Sequence, residues 1–250
     1  AKPAEQTPLI AAKFIDLLLE CGIPANVIAF LPGYSDVGAQ LVNHAAVAGV
    51  AFTGSTNTAR TINRALAAKD GPIVPFIAET GGINALIADS SALPEQVVDD
   101  VILSAFRSAG QRCSAARLLV LQDSIADTVI EMLKGALLEL RVDDPIHLFA
   151  DVGPVIDQHA KEMLQAHERA LQGSATLIGT ARATDAMNMG HFILPQAWEI
   201  PRIDMLDKEV FGPILHVVRF KTGELVQTCH AINALGYGLT GGIHSRIDTT

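Results

Sequence analysis

The chain has 250 residues, 49% of them apolar and 18% charged, a balance that excludes a disordered chain and leaves room for one large domain or two ordinary ones. Lys and Arg number 18 against 27 Asp and Glu, giving a formal charge of −9 with no basic run, which argues against nucleic acid or an anionic membrane as partner. No apolar stretch approaches the ~20 residues of a membrane helix, and the opening residues lack the apolar region of a signal peptide, so neither membrane insertion nor secretion is expected.

Thr7-Pro8 predicts a helix start, with the hydroxyl as N-cap and proline in the first turn. Leu9, Ile10, Phe14, Leu17, Leu18 and Cys21 follow at helical spacing until Gly22 and Pro24. Residues 27–31 read as a buried strand with Pro32-Gly33 as its turn. A short helix over 37–43 leads to a strand at 47–52, and Thr53-Gly54-Ser55-Thr56 opens a helix to about Ala68. Residues 73–78 form another apolar strand. After Gly82 the alternation resumes, with a strand at 84–88 and a helix from Pro94 to Gly110 whose apolar face is Val97, Val98, Val101, Ile102, Ala105 and Phe106. A strand at 118–121, helices at 124–140 and 158–171, strands at 176–178 and 214–220, a helix at 224–235 and a strand at 239–244 complete the order. Residues 179–198 follow no period and receive no element. Helices alternating with short apolar strands predict parallel β-α-β units and an α/β fold. The sequence ends in polar residues straight after a strand, and an inner parallel strand needs neighbours on both sides, so a piece of a longer protein is expected.

Cys21, Cys113 and Cys229 are an odd, widely spaced set that forms no disulfide framework, and a reducing, cytoplasmic setting follows. The eight histidines show no metal-ligand spacing, so no metal is expected. Cys21 and Cys229 sit on apolar helix faces and read as structural. Cys113 differs. It lies in Gly110-Gln111-Arg112-Cys113-Ser114, a short polar stretch after a glycine-ended helix, where a neighbouring cation and open backbone N–H groups favour a nucleophilic thiolate.

Glu79 follows an apolar strand and precedes Thr80-Gly81-Gly82, so it sits at a strand's carboxyl end, where α/β sheets bind ligands. A general base and a solvated loop glutamate are equally good readings of that position. Gly54 and Ser55 open a helix that either carries an ordinary N-cap or receives a phosphate. Lys208-Glu209-Val210-Phe211-Gly212-Pro213 places a charged pair and a ring before a strand and, alone, identifies nothing.

Together, in this order and with Lys2-Pro3-Ala4-Glu5 ahead of them, these segments resemble the aldehyde dehydrogenase superfamily, essentially end to end. The pairing of Glu79-Thr80-Gly81-Gly82 with Gly110-Gln111-Arg112-Cys113 is its most specific element. Residues 78–85, 108–115 and 208–219, with Asp89-Ser90-Ser91-Ala92-Leu93 and Gly153-Pro154-Val155-Ile156-Asp157, are more narrowly similar to the L-glutamate γ-semialdehyde (1-pyrroline-5-carboxylate) dehydrogenase domain of bacterial bifunctional proline-utilisation proteins. The resemblance implies a Rossmann-type parallel sheet plus an α/β catalytic domain, truncated at both ends, with a partial NAD-binding domain over 1–78 and a catalytic domain over 79–250.

It further implies that Cys113 attacks the aldehyde and that Glu79 activates the hydrolytic water. Lys2 and Glu5 hold the adenosine ribose, Gly54 and Ser55 face the pyrophosphate, Glu209 and Phe211 position the nicotinamide ribose and ring, and Ser114 contacts the substrate carboxylate. An acidic Glu5 at the ribose favours NAD over NADP. A small aldehyde as substrate, a homo-oligomer in the full protein, and fusion to or pairing with proline dehydrogenase are implied as well. The family's oxyanion-hole asparagine, its C-terminal substrate loop and the strand that joins subunits have no match here. Ala59 replaces a common glycine and Ile83 a common lysine. A thiol hydrolase that uses Cys113 without nicotinamide, and an inactive binding or structural module, are the competing readings.

Overall fold

A computed structural model describes residues 1–247, which divide into two compact units, with the boundary in the sequence between Thr80 and Gly81. In the first unit, α1 (Pro8–Glu20) starts with proline in its first turn as expected, although Thr7 makes no side-chain capping bond. Cys21 caps its C-terminus and is exposed, so the structural reading of this thiol is corrected. A second helix, α2 (Ser35–Asn43), leads to β1 (Val50–Thr53). Next come α3 (Thr56–Ala67) and β2 (Phe76–Glu79), and β1 and β2 pair in parallel with Thr53 opposite Glu79. The strand expected at 27–31 is not formed. Its Val27 N–H donates back to the Pro24 carbonyl at 2.9 Å, and across the chain it meets Ala1, through Ala1 N to Ala29 O at 2.7 Å and Leu31 N to Ala1 O at 2.9 Å; one residue does not make a ladder.

The second unit is a six-stranded sheet in the order β5-β6-β7-β4-β3-β8. Its strands are β3 (Asn84–Ala88), β4 (Ala116–Gln122), β5 (Thr176–Thr180), β6 (Gln196–Glu199), β7 (Ile214–Phe220) and β8 (Gly241–His244). All neighbours are parallel except β5 and β6. β6 lies in the stretch to which the sequence assigned no element, because four residues with a single flanking proline carry too little pattern. The antiparallel β5 makes an edge strand on an otherwise parallel sheet.

Every residue of β4 is buried, as a central parallel strand covered on both faces requires. The helix α4 (Pro94–Phe106) buries Val97, Val98, Val101, Ala105 and Phe106 into the same core, while Ile102 is only partly covered. The remaining helices are α5 (Asp123–Glu139), α6 (Gln158–Gln172) and α7 (Leu225–Ala234). Cys229 on α7 is half-buried, short of the core position expected for it. No helix among the described residues is long and apolar enough to cross a membrane.

Candidate active site

In the first unit, the carboxyl ends of the two parallel strands bring Gly54 and Glu79 together. The Gly54 N–H donates to the Glu79 carbonyl at 3.1 Å. Ser55 caps α3, its Oγ accepting from the Thr58 N–H at 3.2 Å. The helix start carries no acidic residue to compete for its N–H groups. The Glu79 side chain is exposed at the strand end. Lys2 Nζ donates to the Pro3 carbonyl at 2.8 Å and lies 3.8 Å from the Glu5 carboxylate.

In the second unit, the residues singled out from sequence gather at the opposite kind of edge, ahead of the strands. Cys113 and Ser114 form an exposed turn before β4, and Glu209 and Phe211 precede β7. The turn that presents Cys113 is unusual. Ser108 and Ala109 hold φ of 56° and 54°, and Gly110 follows at 65°, three successive left-handed residues of which only the last is glycine. A Cβ on Gly110 would also strike the Gly212 carbonyl, so no other residue fits there. Gln111 ties the turn down, accepting from the Ile156 N–H at 2.8 Å and donating to the Pro154 carbonyl at 3.3 Å.

Two residues not identified from the sequence organise this edge. Asn84, at the start of β3, is buried and donates through one amide to the Cys113 carbonyl at 2.7 Å and the Ala115 carbonyl at 2.9 Å. Its oxygen accepts from the Thr240 N–H at 3.2 Å. Arg117, 1% exposed, is the other. Its Nη1 donates to the carbonyls of Gly110 at 2.6 Å and Gly212 at 3.1 Å, and its Nη2 to the Arg112 carbonyl at 2.9 Å. Nη2 also lies 3.4 Å from the Glu209 carboxylate, and the guanidinium sits 5.2 Å from the centre of the Phe211 ring. Arg112, the cation next to Cys113 in sequence, donates through Nε to Ser108 Oγ at 3.1 Å. The sequence signal for Arg117 was a charge inside the apolar run of β4.

Burial pushes the Glu209 carboxyl above its ordinary range, against the opposing pull of Arg117 and of the Gly82 N–H that it accepts. Burial likewise lowers Arg117, while Glu209 and the Cys113 sulfur act to hold its charge. The backbone of Arg117 is itself fixed. Its carbonyl accepts from His216 Nδ1 at 3.0 Å, so the neutral His216 presents Nε2 as acceptor to His167 Nε2 at 2.8 Å.

The sequence profile of the aldehyde dehydrogenase family matches residues 1–249. The chain belongs to the aldehyde dehydrogenase family. It is 51% identical over 259 residues to the bifunctional protein PutA of Klebsiella aerogenes, an alignment covering 100% of this chain and 20% of that protein. It is 33% identical to 1-pyrroline-5-carboxylate dehydrogenase of Geobacillus kaustophilus, covering 98% of this chain and 48% of that one. A crystal structure of bifunctional proline utilization A (PutA) superposes with a TM-score of 0.95 at 55% identity, over 99% of this chain and 25% of that chain. The Thermus thermophilus 1-pyrroline-5-carboxylate dehydrogenase structure gives 0.91 at 31% identity, over 99% and 48%. This chain therefore spans about a fifth of the length of the curated PutA relatives, and the fold is that of an aldehyde dehydrogenase.

Proposed function

We propose that the protein carrying this chain oxidises L-glutamate γ-semialdehyde, formed from 1-pyrroline-5-carboxylate, to L-glutamate in proline catabolism, with NAD as acceptor. What supports it most is that relatives named 1-pyrroline-5-carboxylate dehydrogenase and proline utilization A align over essentially the whole chain, including the segment that carries the exposed Cys113.

The residues present fit a dinucleotide in separate parts. The α3 N-terminus, with Gly54 and Ser55, offers N–H donors to a pyrophosphate, and Lys2 and Glu5 offer a cation and an acceptor to a ribose. In the second unit, the Glu209 carboxylate accepts ribose hydroxyls and Phe211, held against Arg117, backs a ring. Bound NAD supplies the hydride acceptor.

The Cys113 thiolate adds to the aldehyde carbon and forms a thiohemiacetal, which makes that carbon tetrahedral and able to release hydride. The product of hydride loss is a thioester on Cys113. Glu79 takes a proton from the water that attacks this thioester, and the released thiolate and the glutamate carboxylate complete the cycle. Ser114, one residue beyond the nucleophile, is proposed to donate to the substrate carboxylate.

The experiment is NADH formation from 1-pyrroline-5-carboxylate by the intact protein, wild type beside Cys113→Ala. The reading expects turnover that the substitution abolishes. Wild-type turnover in Cys113→Ala, or esterase activity indifferent to NAD, contradicts it.

A further inference from the structure

β4 carries an irregularity at one residue. Asn84 pairs with Ala116 and Ala85 with Leu118, so Arg117 is left over between the two pairs. An extra residue in a parallel ladder is rare, and its effect is to re-aim a side chain. Here it turns a guanidinium out of strand alternation, and the side chain is fully buried at the edge where Cys113 and Glu209 lie.

This arrangement is a poor device for stability alone. A buried cation needs full compensation, yet Arg117 has one carboxylate at 3.4 Å and its Nε has no partner among the described residues. An apolar side chain of the same volume would fill the space at lower cost. What the guanidinium does, and an apolar chain cannot, is join three carbonyls from two loops. Two belong to the turn before Cys113, at Gly110 and Arg112, and one to Gly212, beyond Phe211. The Gly110 bond falls at the end of the left-handed run, a conformation that persists only where the surroundings over-determine it. Glu209 completes the set by accepting from the Gly82 N–H as well.

We propose that Arg117 is a positioning residue, whose guanidinium locks the strained turn presenting Cys113 and the segment carrying Glu209 and Phe211 into a single frame. The proposal rests on the reading of Cys113 as nucleophile and Glu209 as a cofactor contact. Arg117 touches no reacting atom. It sets the distance and direction between Cys113, read as the nucleophile, and Glu209, read as a cofactor contact, and its charge opposes the burial that raises the Glu209 carboxyl.

The test uses the intact protein with Arg117→Met, which keeps volume without charge or donors, and Arg117→Lys, which keeps charge without the fork. Three quantities are read: the rate of Cys113 alkylation by iodoacetamide, kcat and KM for NADH formation, and the acid limb of the pH–rate profile. Arg117→Met is expected to slow alkylation about tenfold, to lower kcat about a hundredfold, and to move the acid limb up by about one pH unit as Glu209 loses its counter-charge. Arg117→Lys is expected to lower kcat at least about tenfold with the acid limb unmoved. A role confined to stability would shift the melting temperature of both variants and leave the profile of the folded fraction where it is, and that result overturns the proposal. Alkylation and kcat within twofold of wild type in folded Arg117→Met overturn it equally. If Arg117→Met does not fold, Arg117→Lys decides, and wild-type kcat there is the overturning result. Should the wild-type protein oxidise no aldehyde, the functional reading fails, while the alkylation rates still judge Arg117.

Discussion

The Glu209 carboxylate occupies the space that a side chain at Gly81 would need. A Cβ built on Gly81 falls inside that carboxylate, so the glycine following Thr80 is required for the position of a residue 128 places further along. The carboxylate is further fixed by the Gly82 N–H and by Arg117. The Gly-Gly pair is therefore a seat for Glu209, in extended backbone rather than a turn.

Gly81→Ala is expected to displace Glu209 while leaving the core strands in place. In the intact protein, KM for NAD should rise about tenfold or more, with Cys113 alkylation less affected, since the Arg117 bonds to the Gly110 and Arg112 carbonyls do not involve Glu209. Steady-state kinetics beside alkylation rates read this split, and an unchanged KM contradicts it.

Asn84 has a structural role that also reaches Cys113. Asn84→Ala removes the side-chain donor to the Cys113 and Ala115 carbonyls and the acceptor for the Thr240 N–H. The expected loss is about 3 kcal/mol of stability, read by urea unfolding, together with slower alkylation of Cys113. Asn84→Asp keeps the acceptor for Thr240 and loses the donor, so it should resemble the alanine variant in alkylation.

The buried histidine pair makes stability depend on pH. Burial, reinforced by His167 and the nearby Arg117, pushes His216 down to about 4. Burial and Lys208 lower His167 as well, with Asp207 opposing. The unfolded chain thus takes up protons from about pH 6.5 downward while folded His216 does not, so stability is full above that value and falls as the pH drops toward 4. By pH 5 the His216 contribution to this loss is about 2 kcal/mol. Urea midpoints between pH 7.5 and 5 should show it, and His216→Asn, which keeps a donor for the Arg117 carbonyl without titrating near neutrality, should flatten it. An equal slope in that variant contradicts the assignment.

Much of the fold is legible in the sequence because periodicity and punctuation agree. β3 and β7 fall on the residues expected, and α4 buries five of the six apolar positions read from its spacing. The strand at 27–31 failed because an apolar run says nothing about whether a ladder partner is at hand. β6 was missed because a strand of four residues between loops is shorter than any reliable pattern.

The site is legible only in part. The exposed turn of Cys113 follows from small polar neighbours, but the residues that hold it are hidden by their burial. Arg117 sits in β4 among Leu118, Leu119, Val120 and Leu121, where strand patterning reads a charge as an interruption. Its partners are backbone carbonyls, which no residue type announces. The site's edge was also unexpected, since the Cys113 turn and the Glu209 segment precede their strands, while Gly54 and Glu79 lie at the carboxyl ends where α/β ligands usually bind.

The proposed joint role of Cys113 and Glu79 in one cycle is tested most directly by a single turnover of Glu79→Gln in the intact protein, mixed with NAD and 1-pyrroline-5-carboxylate and quenched for mass spectrometry. The expected result is a burst of about one NADH per site, a glutamyl thioester on the peptide that contains Cys113, and hydrolysis slowed about a hundredfold or more. Steady turnover at the wild-type rate, or a burst with Cys113 unmodified, would contradict it.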